Sequence, residues 1–127
     1  MTQQDIQDIF NSEFEPLLDK FTIIEEYLSN LAQSTNEFIY HPGVYVFFLE
    51  TEVIKVGRSL TNSRKRALEH IKDNTKNEAF EMNSLQKMEA KVMLFNLKNA
   101  DDYHWLGSVE MYLERRLNPV IKSGRKG

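Results

Sequence analysis

The stretch Gly43-Val44-Tyr45-Val46-Phe47-Phe48-Leu49-Glu50-Thr51-Glu52-Val53-Ile54-Lys55-Val56-Gly57 decides how this chain folds. Two runs of β-branched and aromatic residues flank the polar Glu50-Thr51-Glu52. Such runs, bounded by turn residues, read as the two strands of a hairpin. With the turn centred on Thr51, Tyr45 faces Gly57 and Phe47 faces Lys55. Residues directly opposed share a sheet face. One face then carries Val44, Val46, Phe48, Ile54 and Val56, which is a core face. The other carries Tyr45, Phe47, Lys55 and Gly57. An exposed Tyr and a Lys, diagonal neighbours beside a Gly, are not what a plain core requires.

His41-Pro42-Gly43 breaks the chain just before this hairpin. Downstream, Asn62 or Ser63 suits the cap of a helix running to about Asp73, which carries Arg64, Lys65, Arg66, His70 and Lys72. Residues 74–83 read as loop. Val92-Met93-Leu94-Phe95, within 88–97, reads as a third strand. Asp101 suits the cap of a last helix to about Leu117, and Pro119 stops it. Upstream, Ile6, Ile9 and Phe10 fit one helix face. Pro16 suits the start of a further helix, along which Leu17, Phe21, Ile24, Leu28 and Leu31 step by four, three, four and three. The expected architecture is α+β: a small three-stranded, mainly antiparallel sheet flanked by helices over residues 42–127. An acidic helical extension, residues 1–41, precedes it.

The composition narrows the chemistry. The chain has 127 residues, 41% of them hydrophobic and 28% charged, as a single soluble globular domain would. It has no cysteine, which excludes a disulfide framework, a thiol nucleophile and a thiolate zinc site. Its three histidines, His41, His70 and His104, form no H-E-x-x-H pattern. No apolar run reaches the roughly 20 residues that span a bilayer. The N-terminus lacks the basic region of a secretory signal. The expectation is a cytoplasmic protein with no membrane partner.

The formal net charge of −3 is unevenly spread. Residues 1–41 hold eight acidic residues and one base, Lys20, whereas residues 42–127 hold fifteen bases and eleven acids. Basic surface tracks phosphate, and acidic surface repels it or covers it. Both halves also read simply as solvated faces of one domain.

The triplet Gly43-Val44-Tyr45, followed ten residues later by Lys55-Val56-Gly57, resembles the two triplets of the GIY-YIG nuclease superfamily. The resemblance continues through Arg58-Ser59 and through Arg66-Ala67-Leu68-Glu69-His70, an R-x-x-x-H. It ends on Glu110, Leu113 and Pro119, which look like the family's closing helix. It covers residues 42–122. It implies metal-dependent cleavage of DNA phosphodiesters, with Mg²⁺ or Mn²⁺ as cofactor and DNA as partner. Two positions depart from the family: Lys55 stands where Tyr is usual, and Lys122 where many members have Asn.

Phosphodiester hydrolysis needs a deprotonated water, a divalent ion, a fixed cation and a proton donor for the leaving oxygen. On the resemblance, Tyr45 is the candidate base. A free phenol titrates near ~10, and a neighbouring cation such as Lys55 would favour the phenolate. Arg66 is the candidate phosphate clamp, with Arg58 and Arg64 as rivals. His70 shares a helix face with Arg66 and would donate to phosphate or shuttle a proton. Glu110 is the candidate metal ligand, with Glu114 as competitor; a single Glu suffices for Mg²⁺ completed by waters and phosphate. Lys122 would contact phosphate. Trp105 reads as core, with base stacking as the alternative. Two other readings stand beside the nuclease. One is a catalytically altered nucleic-acid-binding module on the same fold. The other is a protein-interaction module, with residues 1–41 docking a partner, forming a homodimer seam or masking the cleft.

Overall fold

The computed structural model describes residues 1–72, 76–77, 80–87 and 89–122. Its main sheet contains β1 (Phe21–Tyr27), β2 (Gly43–Leu49), β3 (Glu52–Ser59) and β6 (Lys91–Leu97). The two-residue strands β4 (Lys76–Asn77) and β5 (Phe80–Glu81) pair only with each other. The main sheet has the order β1-β6-β2-β3, and every pair in it is antiparallel. Among the described residues, three α-helices accompany the sheet: α1 (Gln3–Glu13), α2 (Ser63–Lys72) and α3 (Leu106–Leu117). The architecture is the α+β arrangement expected, with four strands in the main sheet rather than three.

The hairpin has the expected register. Tyr45 pairs with Gly57 and Phe47 with Lys55. Glu50 takes a φ of 56° at the two-residue turn, the sign that tight hairpin turns demand. The expected face assignment fails at one place. A bulge between Phe47 and Phe48 pairs Phe48 with Val53. Val53 therefore packs with Val44, Val46, Phe48 and Val56, and Ile54 joins Tyr45 and Phe47 on the opposite face. That second face is core as well: Tyr45 is buried, against the expectation of an exposed ring.

The N-terminal segment differs more. Leu17 to Leu31 is not one helix. A 3-10 turn (Glu15–Lys20) leads into β1, and a second (Leu28–Gln33) follows it. Phe21, Ile24, Leu28 and Leu31 are all buried, as the spacing suggests. Phe21 packs on one sheet face, however, and Ile24 on the other. A strand with a core on both sides satisfies a step of three, because odd steps cross the sheet. Thr22, Ile23 and Ile24 are β-branched and favour the extended form. β1 pairs residue for residue with β6, from Phe21 opposite Leu97 to Tyr27 opposite Lys91. Residues 1–41 thus share the sheet and the core with the rest.

The two helices expected after the hairpin form, the second with a shifted start. The Asn62 side chain accepts from the Lys65 amide at 3.0 Å and caps α2. Residues 74–83 contain the β4–β5 pair where they are described; Asp73 lies outside the described residues. Before α3, the cap is Asn99 rather than Asp101, and it opens a 3-10 turn (Ala100–Trp105) that leads into the helix at Leu106. Asn118, at φ 49°, ends α3 just before Pro119. Among the described residues, no helix is long and apolar enough to cross a membrane.

α1 and α3 cover one face of the sheet, burying Ile6 and Phe10 beside Val109 and Leu113. α2, the 3-10 turn Leu28–Gln33 and a further one, Met82–Lys87, cover the other, through Ala67, Ile71, Leu31 and Leu85. The chain beyond α3 then runs along the edge of β3. The Val120 amide bonds the Val53 carbonyl at 3.1 Å and the Ile121 amide bonds that of Ile54 at 2.8 Å. This covers the edge near the hairpin turn.

Gly57 is required by a close approach. A Cβ there would meet Tyr45 Cε2 at 2.6 Å, so the Tyr45 ring occupies the space a side chain would take. Gly57→Ala should lower stability by about 1–3 kcal/mol, as overpacking does. Gly107→Ala is the control, since a Cβ at Gly107 meets nothing within 4 Å. Urea midpoints of the two variants check this; equal midpoints would refute it.

Candidate active site

The tyrosine lying across Gly57 reaches toward the β3 edge, where helices from both faces meet. Strand alternation sends Tyr45, Lys55 and Gly57 to the α2 side and Arg58 to the α3 side. A cleft of about 300 Å³ opens there, and Tyr45, Lys55, Arg58, Arg66, His70 and Glu110 all line it. Four elements supply these six side chains: β2, β3, α2 and α3. No residue of 1–41 lines the cleft.

Two pairs organise it. The first is neutral. Tyr45 Oη lies 2.6 Å from His70 Nε2 in a buried contact. Burial pushes the Tyr45 phenol up to about 12; the Arg66 charge opposes this and the Glu110 charge adds to it. Burial pushes the His70 imidazole down to about 4, and the positive charges of Arg66 and Lys55 push the same way. At neutral pH both groups are uncharged. The phenol donates to Nε2 in the tautomer that carries its N–H on Nδ1.

The second pair is ionic. The Arg58 guanidinium donates to Glu110 Oε1. Glu110 is 6% exposed, so its carboxylate needs such a partner. Glu110 sits on the inner side of α3 with Leu106, Val109, Leu113 and Leu117. Lys55, opposite Phe47, is itself only 9% exposed. Burial lowers its pKa, while the Glu114 and Glu110 charges oppose that and Arg66 reinforces it. The positive charge that opposes burial at the Tyr45 phenol is that of Arg66. Arg66 also ion-pairs loosely with Glu69, at 3.9 Å and in solvent.

Two of the residues read as phosphate contacts stand elsewhere. Arg64 lies on another face of α2, stacked 4.3 Å over the Tyr40 ring and bonded to the Ala32 carbonyl at 3.2 Å. Lys122 bonds the Asn118 side chain. Trp105 packs partly buried against the α1–α3 core. Glu114 is outside the cleft lining, and its influence is on Lys55. Leu60, exposed at the rim, also lines the cleft, and nothing in its sequence context marks it. Asn96 is fully buried between the Ser63 hydroxyl (2.5 Å) and the Phe38 carbonyl (2.9 Å), a structural polar knot that sequence reading did not find.

Among the described residues, no three His, Asp or Glu side chains gather into a cation cage. Glu110 is, among the described residues, the one carboxylate on the cleft wall. Mg²⁺ typically takes one or two carboxylates and fills its shell with waters and phosphate oxygens. The donor set therefore suits an ion whose coordination the substrate completes.

The two shifted groups give opposite pH dependences. His70 is lowered on folding, so its contribution is complete above pH 6.5 and is lost as pH falls toward about 4. Tyr45 is raised, so its contribution is complete below pH 10 and is lost as pH climbs toward about 12. The urea midpoint of the wild type should fall between pH 6.5 and 4 more steeply than that of His70→Gln. Parallel slopes would show that His70 is not held neutral. Family models, curated proteins and solved structures give no match to this chain.

Proposed function

We propose that this cleft hydrolyses DNA phosphodiester bonds with Mg²⁺ or Mn²⁺, as an endonuclease of GIY-YIG type. The observation that carries the reading is convergence. Tyr45, Lys55, Arg66, His70 and Glu110 are spread over 66 positions of the chain and line a single small cleft. Their chemistry is that of an anion site with one acid and one proton acceptor.

The phenol alone is too weak an acid to serve as a base at neutral pH. Coupled to neutral His70, it serves as a relay. Tyr45 takes a proton from the attacking water as its own proton passes to Nε2. An incoming phosphate brings negative charge, which raises the affinity of His70 for that proton. Arg66 and Lys55 hold the phosphate oxygens, Arg66 by its planar fork and Lys55 as a point charge. Arg58 fixes the Glu110 carboxylate. A divalent ion held by Glu110 would neutralise charge building on the scissile phosphate.

The Arg58–Glu110 ion pair also favours a second reading. A carboxylate already neutralised by arginine could be structural, which leaves a nucleic-acid-binding module on the same frame.

Metal-dependent nicking of plasmid DNA separates the two. The wild type should nick with Mg²⁺ or Mn²⁺. Glu110→Ala and Arg66→Ala should each lose about a hundredfold or more in rate, and Tyr45→Phe should lose a comparable amount. Equal background cleavage by all four proteins, on plasmid and on branched and single-stranded DNA, would sink the nuclease reading.

A further inference from the structure

α2 has a second chemically distinct side, away from the cleft. Arg66 and His70 step by four on the cleft side. Arg64, Leu68 and Lys72 step by four on another. That side borders a groove of about 510 Å³, to which Lys65 and Tyr40 also contribute. Arg64, Lys65 and Lys72 supply three positive charges. Among the described residues, one acid, Glu69, lines the groove, and it makes a loose, exposed ion pair with Arg66.

Among the described residues, Tyr40 is the most exposed of the large apolar side chains, at 63%. It is exposed because its backbone is tied down on both sides. Ile39 is buried in the core. His41 bonds the Leu97 carbonyl through Nδ1 at 2.8 Å, and its own carbonyl accepts the Ser63 amide at 3.1 Å. The Phe38 carbonyl accepts the Asn96 side chain at 2.9 Å. Between these anchors the ring projects into solvent. The Arg64 guanidinium stacks on it at 4.3 Å, which also sets its orientation. An aromatic ring fixed in this way, flanked by cations, has the make-up of a stacking platform for a base with phosphate contacts on either side.

We infer that this groove binds an unpaired stretch of nucleic acid, with one base stacked at Tyr40 and its neighbouring phosphates on Lys65 and Lys72. The inference rests on the nuclease reading of the cleft and names its substrate class: DNA with a single-stranded segment beside the scissile bond. The groove and the cleft lie on two sides of one helix, about 10 Å across with its side chains. One strand can therefore pass from the cleft over α2 into the groove. A paired base has its faces covered by its neighbours in the stack and cannot reach Tyr40 without leaving the duplex.

Binding is measured without divalent ions, so that no cleavage intervenes. A labelled oligothymidylate of about a dozen nucleotides is titrated with the protein by fluorescence anisotropy, beside a duplex of equal length. The single strand should bind more tightly than the duplex. Tyr40→Ala should weaken it about tenfold, whereas Tyr40→Phe should stay within about twofold. Lys65→Ala combined with Lys72→Ala should reduce the salt slope of single-strand binding by about 1.4. Preference for the duplex, or equal affinity of Tyr40→Ala and wild type, would overturn the inference. A protein that nicks DNA but is indifferent to Tyr40→Ala keeps the nuclease and loses the groove. One that binds single strands through Tyr40 but never cleaves keeps the groove and loses the nuclease.

Discussion

Everything at the cleft depends on one contact: the Tyr45 ring lying over Gly57. Tyr45 belongs to β2, an interior strand, and is 2% exposed. A side chain on the neighbouring strand would confine it to the core. Glycine removes that obstacle, so a residue anchored in the middle of the sheet delivers its hydroxyl to the edge. There it meets His70 from one sheet face, within reach of the Glu110 charge from the other. The backbone that holds the hydroxyl is therefore among the best supported in the molecule, which is how a reacting group is kept in place.

Depth and the partner each group finds together set its charge. The Tyr45–His70 pair is deep and stays neutral, because a charge there would lose its water without full compensation. Arg58 and Arg66 are more exposed and form their ion pairs next to solvent. Lys55 and Glu110 fall between, each nearly buried and each under the influence of an opposite charge. A small cleft thus has several cations at its mouth and a hydrogen-bonded Tyr45–His70 pair at its base. Apolar pockets bind by excluding water, whereas this one has little apolar wall and would hold its ligand by charge.

Much of this was legible in the sequence, for physical reasons. The strand register of Tyr45 and Gly57 followed from period-two alternation about a short turn. The four-residue step from Arg66 to His70 follows from helix geometry. What was hidden depends on contacts made far along the chain. The bulge at Ile54 leaves no local mark, since Val53 and Ile54 are equally apolar. The step from Phe21 to Leu31 fits a helix and a two-sided strand alike, and the choice is made by β6, some seventy residues later. Arg64 and Arg66 are two positions apart, which is about 200° around a helix. Knowing that both are basic therefore does not say which one faces a cleft. Lys122 follows the C-cap of α3, where its direction is set by Asn118.

The strand order has a kinetic consequence. β1 and β3 are opposite edges of the sheet, three strand spacings or about 14 Å apart. Glu25 and Glu26 sit on β1, while β3 carries Lys55 and Arg58 toward the cleft and Glu52 at the hairpin turn. That separation exceeds the Debye length of about 8 Å at physiological ionic strength, so neither edge cancels the field of the other. The cleft at β3, where Lys55, Arg58 and Arg66 stand against Glu110, is therefore the more positive of the two edges. A polyanion diffusing toward it would be turned before contact, cleft edge first, and dilute salt would quicken the encounter. An overall charge of −3 is then compatible with capture of a negative partner, because orientation at close range is decided by the nearer edge.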